Sequence, residues 1–319
     1  MAPEARFALM AACIYLPLGL GYASRRLGVV GPAASKVVSR RAVVTLEPVI
    51  ACFAAWHIDL SSPGRALLVP LIGAAVSLSL LGIGFATLPL VDGPPRRRGA
   101  YVVSAMISNI GMGMGGFICY MLHGVPAQAL VVLYVAHFFP VVFVLGCVIA
   151  GHYATGAHAP LGATLAGMAR NPIILAPTGG LVAGLACNIA GLRPPRALGA
   201  VNAVALSAAV CIYAYSIGLT LRVGRIGGYV REVGALAATK FGIGPLLGAG
   251  VVFALGQWEA FDGRLWRVAV IEGAMPVGVF ATVISNLFDL DRDLANSAWV
   301  LTTLAVAVVI PVLYIVTGA

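Results

Sequence analysis

An all-α integral membrane protein is what this sequence predicts, on three observations. Hydrophobic residues make up 61% of the 319-residue chain and charged residues 10%, with a mean hydropathy of +0.99; a domain surrounded by water carries about 25% charged residues. Apolar runs near the length of a bilayer crossing recur ten times, without the period-two alternation of a barrel strand. The net charge of +9 lies in short loops between those runs. That is a topology pattern, not the folded basic face that nucleic acid would need.

The spans fall roughly at 7–24, 42–59, 66–91, 99–122, 127–150, 172–192, 197–221, 233–255, 265–288 and 296–317. Span 1 follows Glu4 and Arg6 and precedes Arg25 and Arg26. This is the charge order of a first crossing with its N-terminus outside, not of a cleaved leader. Span 2 carries an intramembrane acid, Glu47, beside Pro48, and span 3 leads into Arg96, Arg97 and Arg98. Span 4 contains "SNIGMGMGGF" from Ser108 to Phe117, and span 5 holds His137 near Pro140. Span 8 holds Lys240, about a turn and a half inside, from where its ammonium can snorkel to the cytoplasmic edge or, alternatively, balance an acid or attract an anion. Span 9 contains "EGAMPVGVFATVISN", with Glu272 four residues before Pro276. Span 10 is expected to start from Asp293 as its N-cap. Asp289, Asp291 and Asp293 have calcium-loop spacing, but Leu294 and Val300 stand where that loop needs glycine and glutamate. The six cysteines all fall in spans without a CxxC pair and read as small apolar residues.

Loops after the odd-numbered spans hold thirteen of the twenty Lys and Arg, and the opposite face holds six. Both termini are therefore expected outside. The starts of spans 6–10 follow those of spans 1–5 by a shift of 155 to 169 residues. Because five is odd, the second half enters the membrane in the opposite sense. Two inverted five-helix repeats are predicted, residues 1–150 and 172–319, joined by a loop at 151–171, an arrangement typical of secondary transporters.

The same shift carries Asn109 onto Met275, so the glycine-rich stretch of span 4 and the proline of span 9 are symmetry mates. Each glycine weakens a helix by about 0.8–1 kcal/mol relative to alanine, and Pro276 removes a donor and crowds the preceding turn. Both helices are expected to open at mid-membrane and cross. The freed peptide groups persist only where they face protein, water or a ligand. Half-helix N-termini suit an anionic cargo and freed carbonyls suit a cation. Asn109, Gly111, Gly113, Met275, Pro276 and Gly278 are the candidate cargo-binding residues, with Glu47 and His137 as further candidates. Glu272 is costly as a bare carboxylate at that depth. With Ser108 and Asn109 it makes an oxygen set for a sodium ion; a proton on Glu272 is the alternative coupling ion. Gly111 and Gly115 also form GxxxG, whose plain reading is close helix packing.

No HExxH, GxGD or DDxxD constellation supports a polytopic membrane enzyme. Polarity clustered at mid-membrane, with apolar ends, favours a closed central site over a channel.

The run "AMPVGVFATVISNLFDLD" through "LANSAWVLTTL" to Pro311 resembles the C-terminal signature of the auxin efflux carrier family. "RNPIILA" opening span 6, "IGLTLR" closing span 7, "TKFGIGPLL" in span 8 and "SNIGMGMGG" in span 4 are similar in order and placement. Glu272 with Ser108 and Asn109 looks more like the related bile acid:sodium symporters. Span 4 lacks the proline of the plant branch. The resemblance implies a scaffold of spans 1, 2, 6 and 7, common as a homodimer contact, beside a transport domain of spans 3–5 and 8–10. It implies a secondary carrier of small organic anions such as mono- or dicarboxylates, moving by an elevator mechanism in the inner (plasma) membrane. Cation coupling is expected, with an uncoupled carrier or channel-like permease as the alternative, and no cofactor beyond the candidate sodium ion.

Overall fold

A computed structural model describes residues 3–154, 160–221 and 227–318. Those residues are helical, with one isolated antiparallel bridge and no strand among them. Among the described residues, seven helices are long and apolar enough to cross a membrane: Ala5–Arg26, Pro63–Ala86, Met114–Tyr153, Pro172–Ile189, Arg196–Thr220, Gly227–Ala254 and Arg292–Thr317. The sequence led us to expect ten. The other three expected spans hold shorter helices separated by interruptions. Span 2 divides at Leu46 into α2 (Ala34–Thr45) and α3 (Glu47–Trp56), where Pro48 enters the first turn. Span 4 divides between α5 (Pro95–Met106) and α6 (Met114–Val135), and span 9 between α13 (Arg264–Gly273) and α14 (Val279–Leu287). The remaining helices are α1 (Pro3–Arg26), α4 (Pro63–Ala86), α7 (Val144–Tyr153), α8 (Leu161–Ala169), α9 (Pro172–Ile189), α10 (Arg196–Thr220), α11 (Val230–Ala237), α12 (Gly244–Ala254) and α15 (Arg292–Thr317).

The chain forms two compact units. The first comprises Met1–Ser61, Gly111–Val132 and Gly167–Leu221. Its helices meet backbone to backbone at glycines. A Cβ on Gly21 or on Gly218 would lie 2.1 Å from the carbonyl oxygen of Tyr215 or Leu18, so α1 and α10 approach through both. Gly180 and Gly184 seat α9 on α3 in the same way, against Pro48 and Cys52. This small-xxx-small seam is the device the sequence suggested at Gly111 and Gly115. Asn188 finishes the contact by donating to the carbonyls of Ala55 (3.0 Å) and Ile58 (2.8 Å). Gln128 on α6 and Asn202 on α10, both fully buried, exchange a reciprocal amide pair at 3.1 and 3.0 Å.

The second unit comprises Ser62–Ile110, Leu133–Ala166 and Arg222–Ala319. Here Gly244 and Gly248 bring α12 against α13, where added Cβ atoms would lie 2.1 and 2.2 Å from the carbonyl oxygens of Gly273 and Ala269. Helix α15 is capped by Asp291, whose carboxylate accepts from the N–H of Leu294 at 3.0 Å. The expected cap, Asp293, already lies inside the helix, because the chain turns helical at Arg292, earlier than the apolar pattern begins.

Candidate functional site

Helix α5 stops where Ile107 takes an extended conformation (φ −84°, ψ 111°). Helix α13 stops at Gly273, and the chain is again extended at Gly278 (φ −81°, ψ 152°) before α14 begins. Within the second unit these two interruptions pair. Ser108 and Val277 face one another in an antiparallel bridge. It is flanked by the Asn109 N–H donating to the Pro276 carbonyl (2.8 Å) and the Gly278 N–H donating to the Ile107 carbonyl (2.9 Å). Pro276 suits its place, because only its carbonyl is used and its missing N–H is not needed. Gly278 is required for a different reason: a Cβ there would lie 2.6 Å from the Ser108 carbonyl oxygen. Residues 271–278 are buried throughout, Met275 and Val277 completely, whereas Asn109 keeps a half-buried side chain.

Two further side chains complete the breaks. The N–H of Val277 donates to the Thr302 hydroxyl on α15 at 3.0 Å. The ammonium of Lys240 donates to the Ala105 carbonyl at 2.6 Å and to the Ser108 hydroxyl at 2.7 Å. Lys240 is 0% exposed. It does not snorkel. Its place in a π-helical turn, Ala238–Ile243, turns it inward, and the close approach at Gly244 holds that turn against the end of α13. π-turns inside helices often mark functional positions.

The expected site residues therefore divide. Ser108, Asn109, Met275, Pro276 and Gly278 are brought together by the pairing, and Glu272 is buried in the last turn of α13, in the same unit. His137 is also in this unit, but both ring nitrogens have protein partners: the Tyr134 carbonyl at 2.6 Å on Nδ1 and the Ser77 hydroxyl at 2.9 Å on Nε2. Since a carbonyl only accepts, Nδ1 carries hydrogen and Nε2 accepts from Ser77 in the neutral ring. Gly73 leaves room for that ring, 2.5 Å from where a Cβ would sit. Both ring nitrogens thus meet protein atoms.

Glu47, Gly111 and Gly113 belong to the first unit. There the Tyr213 hydroxyl donates to Glu47 at 2.5 Å, tying the acid to α10. Gly111 adopts φ 84°, open to glycine at little cost, and its carbonyl accepts from Gly116 at 2.6 Å as α6 starts. Of the sodium set expected at Ser108, Asn109 and Glu272, the Ser108 hydroxyl oxygen already accepts from the Lys240 amine. A second unit charge about 4 Å from that ammonium would cost roughly 4 kcal/mol at an effective dielectric near 20. Among the described residues no group of three His, Cys, Asp or Glu side chains is placed to hold a metal ion. Thr302, together with the buried Ser104, Ser285 and Thr303 hydroxyls that have no hydrogen-bond partner among the described residues, was missed by the sequence reading. A lone hydroxyl in an apolar run gives no periodic signal.

The part of the chain that carries Lys240, Glu272 and Thr302 is also the part that resembles known proteins. Residues 200–314 match a family described as membrane transport protein. This agrees with the resemblance to the auxin efflux carriers. A protein of Methanothermobacter thermautotrophicus, described as an uncharacterized transporter, is 29% identical over 142 residues. That match covers 44% of this chain and 45% of the relative, so the chain spans less than half the length of the curated relative it matches. The likenesses are to membrane transport proteins, and the seven long apolar helices suit a chain that crosses a membrane several times.

Proposed function

We propose that this chain is a secondary active carrier of small organic anions, mono- or dicarboxylates, working by alternating access in the plasma membrane. The observation that carries this reading is the antiparallel pairing of two interrupted helices, Ile107–Asn109 with Pro276–Gly278. Helix α14 begins at this crossing with no acidic residue in its first turn, so its partial positive charge is available to a carboxylate. Asn109 supplies a side-chain amide beside it. The backbone around Met275–Gly278 frames the cargo, and Gly111 and Gly113 shape the start of α6. Glu272 sits at the carbonyl end of α13, where partial negative charge makes a bare carboxylate unfavourable. It exchanges a proton, which is the coupling cation in this reading.

Two inverted repeats would cross the membrane ten times if each interrupted helix pair counts as one crossing. The two compact units support an elevator in which the unit carrying the crossing moves and the other, built largely on α1–α3, α9 and α10, stays fixed and forms a homodimer contact. The test is uptake of radiolabelled mono- and dicarboxylates into proteoliposomes. Concentrative uptake of at least one is expected. Glu272→Gln is expected to retain exchange of cargo but lose its dependence on an imposed ion gradient. No uptake or exchange of any carboxylate would sink the reading.

A further inference from the structure

We propose that the Lys240 ammonium is a tethered cation, standing at the Ser108 corner of the crossing in the place a free alkali ion would take. The chain then neither binds nor needs sodium there. The oxygens it meets are a backbone carbonyl from the last turn of α5, Ala105, and a hydroxyl, Ser108, at 2.6 and 2.7 Å. Carbonyl and hydroxyl oxygens are the ligands that hard cations select. The Ala105 carbonyl belongs to the negative end of the α5 dipole, where positive charge is favourable.

Nothing about the position suggests a lysine reaching water. The side chain is fully buried, delivered by a π-turn, and held by the glycine seam that presses α12 onto α13. An ammonium on a four-carbon stem carries its charge to the crossing and cannot leave with the cargo. Sodium at the same oxygens would meet a like charge in a medium with little water to screen it.

The meaning for transport rests on the carrier reading above, but the test does not, since it needs no substrate. The full chain, purified in detergent, is unfolded thermally in sodium, potassium or choline chloride at equal ionic strength. The wild type is expected to show the same Tm in all three, and no saturable binding of radioactive sodium. Lys240→Met leaves the two oxygens without a donor, and is expected to start from a lower Tm and recover about 3 °C in sodium over choline. Saturable sodium binding by the wild type would overturn the proposal. So would a folded Lys240→Met protein indifferent to sodium, which would make Lys240 a helix cap and nothing more. Should Lys240→Met fail to fold, the wild-type binding measurement decides alone.

Discussion

At the end of α5 the Ala105 carbonyl meets a donor, the Lys240 ammonium, whereas before α14 the Val277 N–H meets an acceptor, the Thr302 hydroxyl. One break is finished with a full charge and the other with a neutral group. The difference teaches what each helix end is free to do. The ammonium cancels the negative end of α5, leaving little there to attract a second cation. The hydroxyl satisfies one N–H but leaves the partial positive charge of the first turn of α14 in place. An anion is thus favoured on one side of the crossing, and a free cation is disfavoured on the other.

The breaks also differ in what enforces them, and substitutions rank the causes. The largest effect is expected from Gly278→Val, because even a Cβ would meet the Ser108 carbonyl at 2.6 Å. A loss of about 3 kcal/mol in thermal unfolding is expected from such overpacking; a neutral result would mean the two strands do not pair. Thr302→Val keeps the shape and removes the acceptor, so the buried Val277 N–H should cost about 2 kcal/mol. Gly111→Ala forces a Cβ into φ 84° and should cost about 1 kcal/mol. Pro276→Ala should change stability by only about 0.5 kcal/mol, since the fold uses the carbonyl of that residue and not its ring. If Pro276→Ala proved costlier than Gly111→Ala, the second break would be imposed by proline and not by the pairing across it.

Both interruptions were legible in the sequence because glycine, serine, asparagine and proline inside an apolar run leave few helical alternatives. The number of uninterrupted crossings was not. Hydropathy averages over a break of five residues, so α13 and α14 read as one span. The inward course of Lys240 was not legible, because distance along the chain suggests a nearby membrane edge. Neither the π-turn nor the Gly244–Gly273 approach that turns it inward appears in a hydropathy pattern. The partners of the His137 ring were not legible, because Ser77 and Gly73 lie sixty or more residues away along the chain. GxxxG is ambiguous for the opposite reason. It is common enough that Gly180 with Gly184, and Gly244 with Gly248, which do seat helices, look no different in sequence from Gly111 with Gly115.

The bridge between Ser108 and Val277 is flanked by two peptide bonds' worth of contact with no side chain in either link. The amides of Asn109 and Gly278 therefore make a natural pair of isotope clocks. Deuterium entering both at one shared rate would mean that the strands part as a unit, and unequal rates would mean that one end frays while the other holds. A cargo that slowed both clocks together would locate its grip at this junction without a single residue being altered.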